Sequence, residues 1–173
     1  MTLKKWPQYI LVIVLALVQI ATTNISSVIA GNLLLAYFIA ASAFFEYNML
    51  IWLALIGGLM LDLYGPHSNF GLHMGFLLLV VIICKLIIRI ETQSQRLWYC
   101  FLISIAFSGL FFVVDLGLVV NVLGRATFLP LVWKLFLSIV YNGLATVLFF
   151  VAFEFAQNYR GAHKSRIFKR KAA

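Results

Sequence analysis

The chain has 173 residues, of which 64% are hydrophobic and 10% are charged, and its formal net charge is +8. A soluble domain of this size carries about 25% charged residues, because its exterior faces water. The composition therefore excludes an ordinary soluble domain and predicts an integral membrane protein with several spans. Cys84 and Cys100 lie in or beside apolar runs and fit no ligand pattern, so we expect packing residues rather than a disulfide.

Six apolar runs follow one another along the chain, and we expect each to form a transmembrane helix. They cover about residues 6–21, 28–45, 49–64, 72–90, 97–120 and 130–156. Most of them can cross about 30 Å of hydrocarbon at about 1.5 Å per residue, and the second run is the weakest. The chain is thus predicted to form one all-α, six-helix transmembrane domain over residues 1–160, followed by a basic tail over residues 160–173.

The basic residues concentrate on one side of this six-helix arrangement. The lysines before the first run, the segment from Lys85 to Arg96 and the basic tail fall on the side of the termini, whereas Arg125 and Lys134 lie on the other. Because cytoplasmic loops carry an excess of Lys and Arg, both termini are predicted to be cytoplasmic. The tail directly follows an apolar helix, so we expect it to bind anionic lipid headgroups and not nucleic acid.

The central residues 57–72 combine a carboxylate with a break in the helix. Asp62 stands at the end of the third run, and Gly65-Pro66 must end that helix because the residue before proline avoids the α region. The topology brings two acids and two bases to a similar depth near the outer leaflet: Asp62, Asp115, Arg125 and Lys134. Such charges usually pair in lipid, so we expect interhelical ion pairs, with Asp62 either in such a pair or holding the turn. A proton or ion pathway and a polar patch that faces a partner are the alternatives.

Small residues line one face of the third helix, since Ala54, Gly58 and Asp62 are spaced four apart. This spacing lets a second helix approach closely. The second helix carries a similar stripe at positions 36, 40 and 43. We expect packing within the chain, with a helix of another protein as the alternative. In that alternative, leucine at position 58 should disrupt the complex more than alanine does.

Other polar residues give weaker indications of chemistry. His67 and His73 flank the turn, but two histidines without a third ligand indicate interfacial residues more than a metal site. Asn142, inside the sixth run, predicts an interhelical hydrogen bond. The sequence shows no nucleophile–base pair, phosphate-binding glycine loop or cofactor signature, so we expect neither catalysis nor a cofactor.

The segments GLMLDLYG at residues 58–65 and FGLH at residues 70–73 resemble the core motif of the MreD family of bacterial rod shape-determining membrane proteins. That motif has a glycine, a few apolar residues, an aspartate, a glycine-containing turn and then a further hydrophobic helix. The segment from Trp133 to Leu144 resembles a late segment of the family in which an asparagine recurs. Family members often have a proline where the second helix begins, whereas this chain has Gly31-Asn32. The candidate residues for a structural motif or a partner contact are thus Gly58, Asp62, Gly65, Gly71, Asp115 and Asn142.

The resemblance implies a non-enzymatic component of the rod complex, or elongasome, in the bacterial inner membrane. Such a protein works with MreC, a bitopic protein with a large periplasmic part, beside MreB, RodA and the partner transpeptidase of RodA. It would help to organise lateral peptidoglycan synthesis and to maintain rod shape.

The fold implied by the resemblance is similar to the S components of energy-coupling-factor vitamin transporters. A substrate-binding S component is therefore the alternative function. It requires an outward pocket with several convergent polar groups, whereas this sequence offers few polar residues on the outer side.

Overall fold

A computed structural model of the chain describes residues 5–25, 32–64, 71–88, 93–123 and 128–171. These ranges form six helices and no strand: α1 (Lys5–Ile25), α2 (Leu33–Ser42), α3 (Tyr47–Tyr64), α4 (Leu72–Ile88), α5 (Gln93–Leu123) and α6 (Phe128–Lys171). The prediction of an all-helical chain is confirmed, and the described residues form six helices.

Three of the helices are long and apolar enough to cross a membrane, judged by length and composition. They are α3 over its whole length, α5 over Gln95–Val113 and α6 over Val132–Tyr159. α1 and α4 are apolar over the somewhat shorter segments Trp6–Thr22 and Leu72–Ile88.

α2 is the centre of the bundle. Its residues 34–42 are all buried, and it contacts each of the other five helices. A helix that is apolar on every side belongs in an interior, and α2 has this character. It has 10 residues, which corresponds to a length of about 15 Å, or roughly half the thickness of a bilayer core.

The second predicted span, 28–45, is therefore too long at its C-terminal end. α2 ends at Ser42, whose Oγ donates a hydrogen bond to the carbonyl of Phe38 and offers the backbone an alternative to further helix. The amides of Ala43 and Phe44 then donate hydrogen bonds to the carbonyls three residues earlier, which forms a tight turn. Residues 28–31 lie outside the described part of the chain.

α6 is longer than the predicted sixth span. The helix continues through the basic segment as far as Lys171 and reaches 44 residues, or about 66 Å. Residues 157–171 contain no proline and are rich in arginine and lysine, which are good helix formers. The basic tail is thus largely a direct extension of α6.

The exterior of the bundle is apolar. Large hydrophobic side chains are exposed on α1, α3, α4, α5 and α6, whereas none is exposed on α2. All four tryptophans are exposed by more than half: Trp6, Trp52, Trp98 and Trp133. This distribution is typical of helices that face lipid, with tryptophans near the helix ends as interfacial residues.

Candidate functional site

The carboxylate of Asp62 connects the end of α3 to the start of α4. Its Oδ1 accepts from the His73 amide at 2.9 Å, and its Oδ2 accepts from the amides of Gly71 at 3.0 Å and Met74 at 3.2 Å. The first amides of a helix have no partner within that helix, and Asp62 supplies one for three of them. A negative charge at a helix N-terminus is also stabilised by the helix dipole. Asp62 is therefore the N-terminal cap of α4, contributed by the preceding helix.

The ring of His73 completes the surroundings of the carboxylate. Its Nδ1 lies 2.9 Å from Asp62 Oδ1, and the Asp62 side chain is only 1% exposed. The tautomer that carries a proton on Nδ1 donates a hydrogen bond to this oxygen. The other side of the ring packs on Phe111 of α5 at 5.7 Å between ring centroids. With three backbone donors and the His73 ring around its roughly four lone-pair positions, Asp62 has little capacity left for an ion or a substrate.

Two glycines make this joint possible. Gly71 has a φ of +90°, a conformation that a side chain disfavours, and its amide is one of the three that Asp62 caps. Gly58 lies directly against the backbone of α4, because a Cβ added at this position would clash with Met74 Cα and lie 2.8 Å from Met74 N. The close approach of α3 and α4 therefore depends on the absence of a side chain at position 58.

This geometry decides between the two expectations for the small-residue face of α3. The face packs against α4 of the same chain, and the contact between these helices is the most extensive in the bundle. From the sequence, leucine at position 58 is expected to disrupt a complex more than alanine. This comparison does not test for a partner helix, because the first carbon of any side chain at position 58 already meets the α4 backbone.

No ion pair among the four expected residues, Asp62, Asp115, Arg125 and Lys134, is present within the described part of the chain. Among the described residues, Asp62 contacts the ring of His73, which carries a charge only when it is protonated, and Lys134 is not one of its partners. The side chains of Asp115 and Arg125 lie outside the part of the chain whose side chains the structure describes, as do Gly65 and His67. Both cysteines are buried and free.

A second polar cluster surrounds Asn142 in α6. The Asn142 Oδ1 accepts from the backbone amide of Asn32 at 2.7 Å, and its Nδ2 donates to Ser108 Oγ of α5 at 2.8 Å. One turn further along α6, Thr146 Oγ1 donates a hydrogen bond to the Asn142 carbonyl and lies 3.0 Å from Ser104 Oγ. All of these residues are buried. The prediction of an interhelical hydrogen bond at Asn142 is confirmed.

This cluster also caps α2. Beside the Asn32 amide, the Leu33 amide donates to Gln19 Oε1 of α1 at 2.7 Å, and the Leu35 amide donates to Asn32 Oδ1 at 3.0 Å. Side chains from α1, α6 and the residue before α2 therefore replace the water that would otherwise solvate this helix end. A buried helix can start here without several unpaired amides.

The sequence contains a signal for this cluster that the analysis of single residues missed. Ser138, Asn142 and Thr146 are spaced four apart on α6, and Ser104 and Ser108 are spaced four apart on α5. Residues at this spacing share a helix face, so two polar stripes predict a polar seam between the two helices. Gln19 and Asn32 give no such pattern.

Neither cluster offers an arrangement for metal binding. Within the described residues, no group of three or more His, Cys, Asp or Glu side chains is placed to hold an ion. The polar side chains instead satisfy helix ends and one another, and no buried side-chain nitrogen or oxygen among the described residues is left without a partner. The chemistry of both clusters is that of a fixed architecture.

Comparison with known proteins finds no match. No protein-family model, no curated protein and no solved structure matches the chain.

Proposed function

We propose that this chain is a multi-pass protein of the bacterial inner membrane that acts as a non-enzymatic component of the rod complex. In this role it binds an MreC-type bitopic protein, in an assembly with RodA, its partner transpeptidase and MreB. It helps to organise lateral peptidoglycan synthesis and to maintain rod shape. All six helices cross the membrane or pack within it, and both termini are cytoplasmic.

One observation carries the proposal. The described residues of the segments that resemble the MreD motif include Gly58, which lets α4 approach, and Asp62, which caps α4 at Gly71. A motif carboxylate whose two oxygens accept hydrogen bonds from within the chain supports a role in architecture, because a catalytic carboxylate needs a lone pair or a proton for its substrate.

The packing of α3 against α4 also limits which surface is available to a partner. The face of α3 with Gly58 and Asp62 is covered by α4, so a partner helix has to contact the exposed apolar exterior instead. On α3 this exterior includes Trp52, Leu59 and Leu63. Lipid removes the hydrophobic driving force between helices, so helices associate within the bilayer through close van der Waals packing.

Co-purification from native membranes tests the proposal. The tagged full-length chain, solubilised in a mild detergent, should recover an MreC-type protein, and its depletion should convert rods into rounded cells. A Trp52→Ala variant with an unchanged unfolding temperature should recover less partner if the contact lies on α3. Recovery of a vitamin-transport ATPase module in place of the MreC-type protein would instead support the S-component function and contradict the proposal.

A further inference from the structure

A cleft with a volume of about 570 Å³ opens at one end of the bundle. It lies where α2 and α4 end and where α3 and α5 begin. Its polar lining comes from Ser42, Tyr47, Lys85 and Arg96. By the distribution of basic residues, this is the end of the bundle that faces the cytoplasm.

Lys85 is the unusual residue of this cleft. It is half-buried near the end of α4, and its Nζ donates a hydrogen bond to the carbonyl of Phe45, just beyond the C-terminus of α2. An ammonium group has three donors, so two remain. Within the described residues, no carboxylate forms an ion pair with Lys85. A partly desolvated cation whose hydrogen bond within the described residues goes to a neutral carbonyl can also bind an external anion.

Arg96, near the start of α5, lines the same cleft. It also interacts with another group of the chain, but a guanidinium has five N–H donors in a planar fork. This fork suits the oxygens of a phosphate, which it can bind through two parallel hydrogen bonds. Two cations from different helices therefore flank one space.

The remaining walls of the cleft are apolar and open sideways. Ile82 is 42% exposed and Leu86 is 66% exposed on the outer side of α4. The volume of the cleft equals that of roughly twenty water molecules, which is far more than one inorganic phosphate fills. An anionic group that carries hydrocarbon chains matches both parts of the lining.

We propose that this cleft binds the phosphodiester headgroup of an anionic phospholipid of the inner leaflet. Lys85 and Arg96 contact the phosphate oxygens, and the acyl chains lie along Ile82 and Leu86. Basic pockets between membrane helices on the cytoplasmic side bind acidic lipid headgroups in this way. The inference goes beyond the proposed function and does not depend on any protein of the rod complex.

Native mass spectrometry of the purified full-length chain tests this inference. The protein is mixed with equal amounts of phosphatidylglycerol and phosphatidylcholine in detergent micelles, and the retained lipid is identified. The wild type should retain phosphatidylglycerol preferentially. Lys85→Gln and Arg96→Gln should each weaken this retention by about tenfold, because each removes a charge-assisted hydrogen bond. Lys134→Gln, which removes the same charge at the opposite end of the bundle, should leave it unchanged.

Three results would overturn the inference. The first is unchanged retention of phosphatidylglycerol in both Lys85→Gln and Arg96→Gln. The second is equal retention of phosphatidylcholine by the wild type. The third is binding of inorganic phosphate that requires Lys85 while lipid retention does not, which would assign the cleft to a free anion. If Lys85→Gln does not fold, Arg96→Gln must lose the lipid and Lys85→Arg must keep it.

Discussion

The carboxylate of Asp62 accepts hydrogen bonds from the first amides of α4, which have no partner within that helix. Three backbone amides and a histidine nitrogen all lie within 3.2 Å of its two oxygens. The group that caps α4 belongs to α3, so the same hydrogen bonds that start one helix also fix its position against the other. A substitution at this residue should therefore affect both helices.

We expect Asp62→Ala to lower the free energy of unfolding by about 2 to 4 kcal/mol, since it removes a helix cap and leaves partly buried amides unpaired. Asp62→Asn should cost less, because one acceptor oxygen remains. Hydrogen exchange measured by mass spectrometry should show faster exchange at residues 71–74. Glu46→Gln, which neutralises an exposed acid in the connection before α3, is the control and should change neither quantity. Equal exchange in Asp62→Ala and the wild type would contradict the capping role.

Gly58→Ala should destabilise the chain by about 1 to 3 kcal/mol, because the added carbon forces α3 and α4 apart. Gly75→Ala is the matched control on α4, where an added Cβ meets nothing within 4 Å. That substitution should be neutral or stabilising by up to about 1 kcal/mol, since alanine is the better helix former. Thermal unfolding of the two variants in the same detergent measures the difference. A similar unfolding temperature for both would show that the helices are not in close contact at position 58.

At the scale of the element, α2 depends on its neighbours for its first turn. Its amides at Asn32 and Leu33 use side-chain oxygens from α6 and α1. Its interior position means that no water is at hand to replace them. The short helix is therefore stable only as part of the assembled bundle.

We predict that Asn142→Leu destabilises the chain by about 1 to 3 kcal/mol, because it leaves the buried Asn32 amide unpaired and removes the hydrogen bond to Ser108. Peptides that cover residues 32–35 should exchange hydrogen faster, whereas peptides from α3 and α4 should not. Leu144→Ala, at an exposed position two residues further along α6, serves as the control for a change in side-chain size. A uniform increase over the whole chain would argue against a local role of Asn142.

The differences between predicted and observed elements have physical causes. Helices that form the exterior need long apolar stretches, so hydropathy predicts α1, α3, α4, α5 and α6 within a few residues at most ends. A helix enclosed by other helices need not match the thickness of a bilayer, so hydropathy overestimates α2. The asparagine at its start, which accepts from the Leu35 amide, is the local signal for its true beginning.

The sequence reveals some features of the two polar clusters and not others. The break after Asp62 is visible in the sequence, because glycine and proline follow closely. Its role as the cap of α4 is not visible, because it depends on how the turn folds α4 back onto α3. The bond between Asn32 and Asn142 joins residues 110 positions apart, and a single sequence contains no pattern that pairs them.

At the scale of the whole molecule, the predicted topology can be tested with the native cysteines in place, because both are buried and should react slowly. Ser68→Cys, between α3 and α4, should react with a membrane-impermeant maleimide applied to spheroplasts. Ser94→Cys, at the start of α5, should react only after the membrane is opened. The reverse pattern would contradict cytoplasmic termini.

The enclosed position of α2 has a consequence for how the chain is made. α2 leaves the ribosome early, but Asn142 and the aromatic residues Phe149 and Phe153, which pack on Tyr37, are synthesised more than a hundred residues later. Until α6 has been inserted, the start of α2 has no final partner, and long-range contacts of this kind form late. We therefore expect a translocon or a membrane chaperone to bind α2 during synthesis, until α6 has been inserted. Ribosome-stalled chains that end before α6 should crosslink to that machinery through α2, and full-length chains should not.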